Sequence, residues 1–165
     1  MRMLGFKAYR QAYGVIMRRI LFIIMLLAQG VVYGGQPQPS NYREALTLMK
    51  QTNRYGFFFL TADWCEPCHR FKKDTLSHYL DKLEQYYVVY FVDVDKEKGV
   101  ASAFSRAKDS YGRTLWGGML PAYFVFSPDG KKTIAVSHGY KTPQEFVLWY
   151  NSHVISVINS GSGSN

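Results

Sequence analysis

The two cysteines of this chain, Cys65 and Cys68, lie between a short apolar run and a segment compatible with a helix. The run 57–60 before them is typical of a buried strand. Two thiols at this spacing can form a small disulfide ring and open it again. A CxxC motif between a strand and a helix is typical of a thiol–disulfide redox motif. The motif therefore predicts a fold in which one strand ends, and one helix begins, at a pair of cysteines.

The same placement predicts a different role for each cysteine. In the first turn of a helix, unpaired backbone N–H groups and the positive end of the helix dipole favour the thiolate that attacks disulfides. Cys68 would follow one turn later on the same helix face, and Pro67 suits a first turn because no N–H donor is needed there. We therefore expect Cys65 to be the nucleophile and Cys68 the resolving thiol, with Trp64 covering the sulfurs.

Three other interpretations of the cysteine pair stay open. A static disulfide across so short a loop would remove little entropy from the unfolded chain, and a pair of buried thiols can be inert. A zinc site needs about four ligands, usually in paired spacings. The chain has no second cysteine pair, and its four histidines show no HxxxH spacing. We expect a redox-active pair without a metal or another cofactor.

Charge is concentrated at the N-terminus of the chain. The net charge is +8, yet five basic residues precede residue 20 and the first acidic residue is Glu44; the five are Arg2, Lys7, Arg10, Arg18 and Arg19. Without these five, the chain has 15 of its 20 basic residues and all 12 acidic residues, an excess of about three positive charges. The remainder shows no basic cluster interleaved with aromatic residues, so we expect no nucleic-acid partner.

These charges precede the apolar run 20–28, and small residues follow it. This arrangement is typical of an export signal, and the run is short for a membrane span of roughly 20 apolar residues. A membrane tether through residues 20–34 is the alternative, because no charge occurs between Ile20 and Tyr42. The true start is either Met1 or Met17. We expect an exported protein of the bacterial periplasm or cell envelope, cleaved or membrane-anchored.

Hydrophobic residues make up 47% of the chain, enough for a folded core after this segment. Apolar and β-branched runs predict four strands, at 55–61, 87–93, 122–126 and 133–137. Helix-start signals at Asn41 and Thr142, and apolar stripes at helical spacing, predict helices before, between and after them. The motif helix should kink near 75–77 and end near Gln85. The resulting order, α-β-α-β-α-β-β-α, predicts parallel crossovers followed by antiparallel edge strands.

Residues 61–71, Thr-Ala-Asp-Trp-Cys-Glu-Pro-Cys-His-Arg-Phe, resemble the active-site segment of the thioredoxin superfamily. The chain is most similar to exported members and to the periplasmic thioredoxin-like domain of the transmembrane electron-transfer reductase. The resemblance implies an α/β thioredoxin fold, with a central mixed four-stranded sheet, a parallel pair plus a C-terminal antiparallel hairpin, flanked by helices. The expected boundaries are a signal peptide or anchor over 1–35, a linker over 36–40, the domain over 41–158 and a flexible tail over 159–165.

A second segment, 119–124, resembles the cis-proline segment of the superfamily. The resemblance implies that Pro121 is a cis-proline facing the two cysteines. It also implies that Leu120 offers backbone hydrogen bonds to a bound peptide.

Two departures from the superfamily pattern stand out. Thioredoxins usually carry a buried aspartate six residues before the first motif cysteine, where this chain has Phe59. Glu66 is the nearest substitute base, unless it acts only as a charge partner in the first helical turn. The segment 108–119 is longer than a minimal connection, and its Trp116 lines a substrate groove or packs the sheet edge.

Taken together, these features predict an exported thiol–disulfide oxidoreductase that reduces protein disulfides through Cys65 and Cys68. Its partners would be disulfide-containing proteins and an unidentified thiol electron donor, and we expect a monomer. The proline before the second cysteine resembles the reducing members. The alternatives are a disulfide oxidase or isomerase, and a non-catalytic assembly module of an envelope complex.

Overall fold

Four strands form one mixed sheet in the computed structural model, which describes residues 38–109 and 112–161. The strand order across the sheet is β2–β1–β3–β4. Their bounds are β1 Tyr55–Thr61, β2 Tyr87–Asp93, β3 Ala122–Phe126 and β4 Thr133–His138. β1 and β2 are parallel, whereas β1–β3 and β3–β4 are antiparallel. The predicted mixed sheet with a parallel pair and a C-terminal hairpin is confirmed.

The helices follow the predicted order. They are α1 Tyr42–Thr52, α2 Glu66–Asp74, α3 Leu80–Tyr86, α4 Lys98–Arg106, α5 Pro143–Trp149 and α6 Ser156–Gly161. A 3₁₀ turn, Leu76–His78, separates α2 from α3, which confirms the predicted kink. A π-helical segment, Tyr150–Ile155, joins α5 to α6.

One detail of the sheet prediction is wrong. The hairpin strands were expected at an edge, but β3 lies between β1 and β4, and only β4 is an edge strand of the pair. The physical reason is burial, because residues 122–125 of β3 are buried on both faces of the sheet. A strand that is apolar on both faces needs a packed layer on each face, and the two core clusters supply these layers.

Alternate side chains of β1 build two separate cores. Phe57 and Phe59 belong to the cluster that also contains both cysteines, whereas Phe58 and Leu60 belong to the cluster that includes Phe104 of α4. This division follows from the two-residue period of a strand. β1 therefore carries apolar cores on both faces and ends at the cysteine motif.

Both predicted helix starts are present. The Thr142 hydroxyl accepts from the Glu145 N–H, and the Glu145 carboxylate accepts from the Thr142 N–H, forming a complete capping box. The Asn41 side chain accepts from the Glu44 N–H, but the Glu44 carboxylate accepts from the N–H of Ser40 at 2.8 Å instead of from Asn41.

The predicted signal peptide or anchor over 1–35 lies outside the described residues, as do the first two residues of the linker and residues 162–165 of the tail. Helix α6 continues to Gly161, so the first three residues of the predicted tail are helical. Among the described helices, none is long and apolar enough to cross a membrane.

Replacing Gly56 with alanine should destabilise the fold. An added Cβ would lie 2.5 Å from Met49 Sδ and 2.6 Å from the Phe58 ring, and both side chains are fully buried. Overpacking of this kind costs about 1–3 kcal/mol. The matched control is Gly99→Ala in α4, where an added Cβ meets nothing within 4 Å. Denaturant unfolding should show lower stability for Gly56→Ala alone; equal stability of the two variants would contradict the packing argument.

Candidate active site

Cys65 and Cys68 form a disulfide at the N-terminus of α2, with an S–S distance of 2.05 Å. Cys65 is the N-cap residue of this helix, and its Sγ accepts a hydrogen bond from the Cys68 N–H at 3.3 Å. Pro67 lies in the first turn, as predicted. A sulfur at a helix N-cap faces unpaired N–H groups and the positive end of the dipole, which favour its anionic form after reduction.

The two sulfur-bearing residues differ slightly in their access to solvent. Cys65 is 2% exposed and Cys68 is 0% exposed. Both residues are buried, and Cys65 is the one at the helix cap. The roles of Cys65 as nucleophile and Cys68 as resolving thiol stay predictions.

The register of the sheet brings Pro121 to the edge that carries the cysteines. Leu60 of β1 pairs with Ala122 of β3, so the start of β3 lies beside the end of β1. The Leu120–Pro121 peptide bond is cis. Leu120 is partly buried and packs against the core cluster that contains Cys65 and Cys68. No hydrogen bond of its backbone is formed with the residues that the structure describes.

Trp64 is a mostly exposed side chain next to the disulfide, with 69% of its surface accessible. Its indole N–H donates to Asp95 Oδ2 at 2.7 Å. The expectation that this indole covers the sulfurs stays a prediction; its hydrogen bond holds the ring near Asp95, beyond the end of β2, and most of its surface is open to solvent. Met119, 62% exposed, is a second such surface on the segment that precedes Pro121.

Trp116 packs inside the protein rather than lining an open groove. It is 6% exposed and belongs to the core cluster that includes Phe124 and Ala122. Its indole N–H donates to the Met119 carbonyl at 2.8 Å. Its burial favours the packing alternative, and its hydrogen bond holds the segment that carries Met119 and Leu120.

Replacing Trp116 with phenylalanine should loosen this segment. The change removes the hydrogen bond to Met119, worth about 1 kcal/mol, along with part of the ring. Trp149→Phe is a matched control, because the buried Trp149 Nε1 has no hydrogen-bond partner in the described part of the chain. We expect Trp116→Phe to lower both the free energy of unfolding and kcat/KM for disulfide reduction more than the control does. Equal losses would show that the hydrogen bond is unimportant.

The position of the missing buried acid is filled by an aromatic stack. Phe59 is fully buried, and its ring lies 5.6 Å from the ring of Phe71 on α2. The Phe71 ring in turn stacks on Tyr123 at 5.1 Å. Burial raises the pKa of the Tyr123 phenol, which keeps it neutral. The buried members of the core cluster that contains both cysteines therefore include no carboxylate.

Several charged side chains lie near the motif. The Lys96 ammonium forms ion pairs with Asp63 at 2.9 Å and with Asp93 at 2.8 Å, and its hydrogen bond lowers the pKa of the Asp93 carboxyl. Lys72 on α2 lies over the rings of Phe59 and Phe91, and burial lowers its pKa. Glu66 is exposed in the first turn of α2, where its negative charge interacts favourably with the positive end of the helix dipole.

Sequence reasoning missed three residues at this site: Asp95, Met119 and Lys72. Asp95 follows the end of β2, and parallel neighbours end at the same sheet edge. That signal was available once β1 and β2 were predicted to be parallel. Lys72 follows Cys68 by one helical turn, which is also a readable spacing. The described residues contain no group of three His, Cys, Asp or Glu that could hold a metal.

Comparison with known proteins agrees with this geometry. A family model described as thioredoxin-like domain matches residues 42–153. A thioredoxin from Thermus thermophilus is 20% identical with a TM-score of 0.56, over 73% of this chain and 88% of that chain. The germline-specific thioredoxin Deadhead from Drosophila melanogaster is 13% identical with a TM-score of 0.51, over 71% of this chain and 99% of that one. No curated protein is significantly similar.

A CxxC pair joined as a disulfide at a helix N-terminus, on this fold, supports thiol–disulfide oxidoreductase chemistry. The two solved structures show that the fold is shared, and the family model covers most of the chain. The protein therefore belongs to the thioredoxin-like domain family of the thioredoxin superfamily.

Proposed function

We propose that this protein reduces disulfides of other proteins outside the cytoplasm, through a cycle between the Cys65/Cys68 dithiol and its disulfide. The observation that carries the proposal is the Cys65 sulfur at the N-cap of α2, bonded to Cys68. In the reduced protein, the Cys65 thiolate attacks a substrate disulfide and forms a mixed disulfide. Cys68 then attacks Cys65, releases the substrate as a thiol and restores the bond. An external thiol must reduce the protein again.

The surface beside the disulfide supports a protein substrate. Trp64 and Met119 are exposed apolar side chains on two segments next to the motif. Leu120, between Met119 and Pro121, has backbone groups without partners in the described residues. An extended peptide can bind such a segment through main-chain hydrogen bonds while its apolar side chains contact the exposed rings.

The reducing direction is supported by the charges near Cys65. Glu66 is an exposed acid in the first turn, and a nearby negative charge opposes an unusually stable thiolate. Asp63 contributes less, because Lys96 pairs with it. A strongly oxidising member of the superfamily instead stabilises its reduced form.

Equilibration of the purified protein with glutathione tests the direction. We expect a reduction potential closer to the value of about −270 mV for thioredoxin than to about −120 mV for a strong periplasmic oxidant. Reduction of a disulfide-bonded model protein should be catalytic in the presence of a dithiol donor. A potential at the oxidant end would overturn the reductant proposal, and absence of turnover would favour a non-catalytic assembly module.

The extracytoplasmic location is a further part of the proposal, and it rests on the basic and apolar pattern of residues 1–35. Fusion of this segment to a reporter enzyme that is active only after export provides the test. We expect activity from the fusion and loss of activity when the apolar run 20–28 is interrupted by two arginines. Mass spectrometry of the mature chain then distinguishes a cleaved signal from an anchor. An inactive fusion would contradict export.

A further inference from the structure

Lys72 has an unusual place beneath the active site. It follows Cys68 by four residues on α2, so the two side chains lie on the same face of the helix. Helical side chains lean towards the helix N-terminus, which in α2 is the end that carries the cysteines. Its Nζ lies 4.9 Å from the centre of the Phe91 ring and 5.5 Å from that of Phe59.

The Lys72 ammonium makes cation–π contacts with both rings. Phe59 and Phe91 are paired residues in the parallel register of β1 and β2, and their rings contact each other edge to face at 5.6 Å. Phe59 belongs to the core cluster that contains both cysteines, and none of the buried members of this cluster carries a carboxylate. An ammonium over an aromatic face is held electrostatically by the ring quadrupole. Lys72 is thus a charged group on two apolar rings.

The neighbouring carboxylates do not neutralise this lysine directly. Asp63, after β1, and Asp93, at the end of β2, both act on Lys72 through their charge, but each forms its ion pair with Lys96. Among the described residues, Lys72 itself forms no ion pair within 4 Å. Burial lowers the pKa of its ammonium, and the two carboxylates oppose this effect. Other charged or titratable groups near the motif are Glu66, His69 and Arg70 on α2, and Asp95 after β2.

We propose that Lys72 is a positioning residue for the resolving step, in which its ammonium favours the thiolate form of Cys68. The inference rests on the proposed oxidoreductase cycle. In this chain, Lys72 would promote ionisation of Cys68 in the absence of the buried aspartate that thioredoxins usually carry at the position of Phe59. After the mixed disulfide forms, the Cys68 thiol loses its proton to water, and the ammonium of Lys72, one turn later on the same helix face, favours the thiolate that remains. The Cys68 thiolate then attacks Cys65, forming the Cys65–Cys68 bond, and the substrate sulfur leaves with the bonding electron pair and takes a proton from water.

The test is a pH titration of Cys68 in a chain that carries Cys65→Ser. The ultraviolet absorbance of the thiolate reports the ionised fraction at each pH. Removing a nearby positive charge disfavours the thiolate, so Lys72→Met should raise the Cys68 pKa by about 1 unit. Methionine keeps most of the apolar stem over the rings, and Lys72→Arg should leave the pKa near its starting value. Lys73→Met is the matched control, because Lys73 is the exposed neighbour on the same helix.

A second measurement follows the rate of the resolving step. In the chain with both cysteines, a mixed disulfide formed with a small aromatic disulfide should resolve about threefold more slowly in Lys72→Met at neutral pH, because one pKa unit lowers the thiolate fraction about tenfold and raises the nucleophilicity of that thiolate about threefold. If Lys72→Met does not fold, Lys72→Gln replaces it. A Cys68 pKa that changes no more than in Lys73→Met would overturn the proposal and leave Lys72 as a packing residue. The titration needs no substrate, so its failure is distinguishable from a failure of the reductase function.

Discussion

Replacing Cys65 with serine should abolish disulfide reduction, with a loss of about 1,000-fold or more in rate. The attacking group is a thiolate, and a serine hydroxyl at the same helix N-cap is not ionised at neutral pH. Steady-state reduction of a disulfide-bonded protein, with a dithiol as the electron donor, measures the loss. The fold should survive, because the ring closed by Cys65 and Cys68 is too small to stabilise the chain strongly.

Cys68→Ser should have a different signature. Cys65 retains its place at the N-cap and can still attack, but no thiol remains to resolve the mixed disulfide. Substrate proteins should therefore accumulate as covalent adducts that a reducing agent releases, and these can be identified by mass spectrometry. The double serine variant is the control for adducts formed at other sites. Biological activity that survives in the double variant would refute the redox function and leave the assembly-module alternative.

The fold was predictable because its signals are local. β1 and β2 have the predicted bounds, since continuous runs of aromatic and β-branched residues are buried on both faces. Thr142 and Pro143 start α5 where the capping box predicts it, because side chain and backbone meet within four residues. The position of β3 inside the sheet has no such local signal in the sequence. It depends on which strand covers the second edge of β1.

The active site was predictable only where the chemistry lies within one turn of helix. Cys65, Pro67 and Cys68 meet that condition. Trp116 does not, because a tryptophan in an irregular segment is equally compatible with a groove and with a core. Its burial followed from how the segment folds back over β3. The hydrogen bond from Trp64 to Asp95 joins residues 31 positions apart and requires the parallel register of β1 and β2.

Phe59→Asp, which restores the acid usual in thioredoxins, should severely destabilise this protein. Phe59 is fully buried, and its ring contacts Phe71, Phe91 and Tyr123. Loss of a buried phenylalanine ring costs about 3–5 kcal/mol, and a carboxylate in the same apolar site adds a desolvation cost. Lys72 offsets only part of that cost, because an ion pair in a buried site repays the desolvation of its charges incompletely. Denaturant unfolding at neutral pH measures the loss.

Phe59→Asn separates the cost of the buried charge from the cost of the cavity. Asparagine has almost the same shape as aspartate, but it does not ionise. Burial raises the pKa of the introduced carboxyl in the folded state above its unfolded value of about 3.9. Between the pKa in the unfolded state and the higher pKa in the folded state, the folded chain binds more protons than the unfolded chain. The free energy of unfolding therefore falls as the pH rises through this range. The difference between the Asp and Asn variants should therefore be small below about pH 4 and grow towards neutral pH. A difference that stays constant with pH, or an Asp variant as stable as the original chain, would show that Lys72 and water accommodate the acid, and that the aromatic stack is not what excludes it.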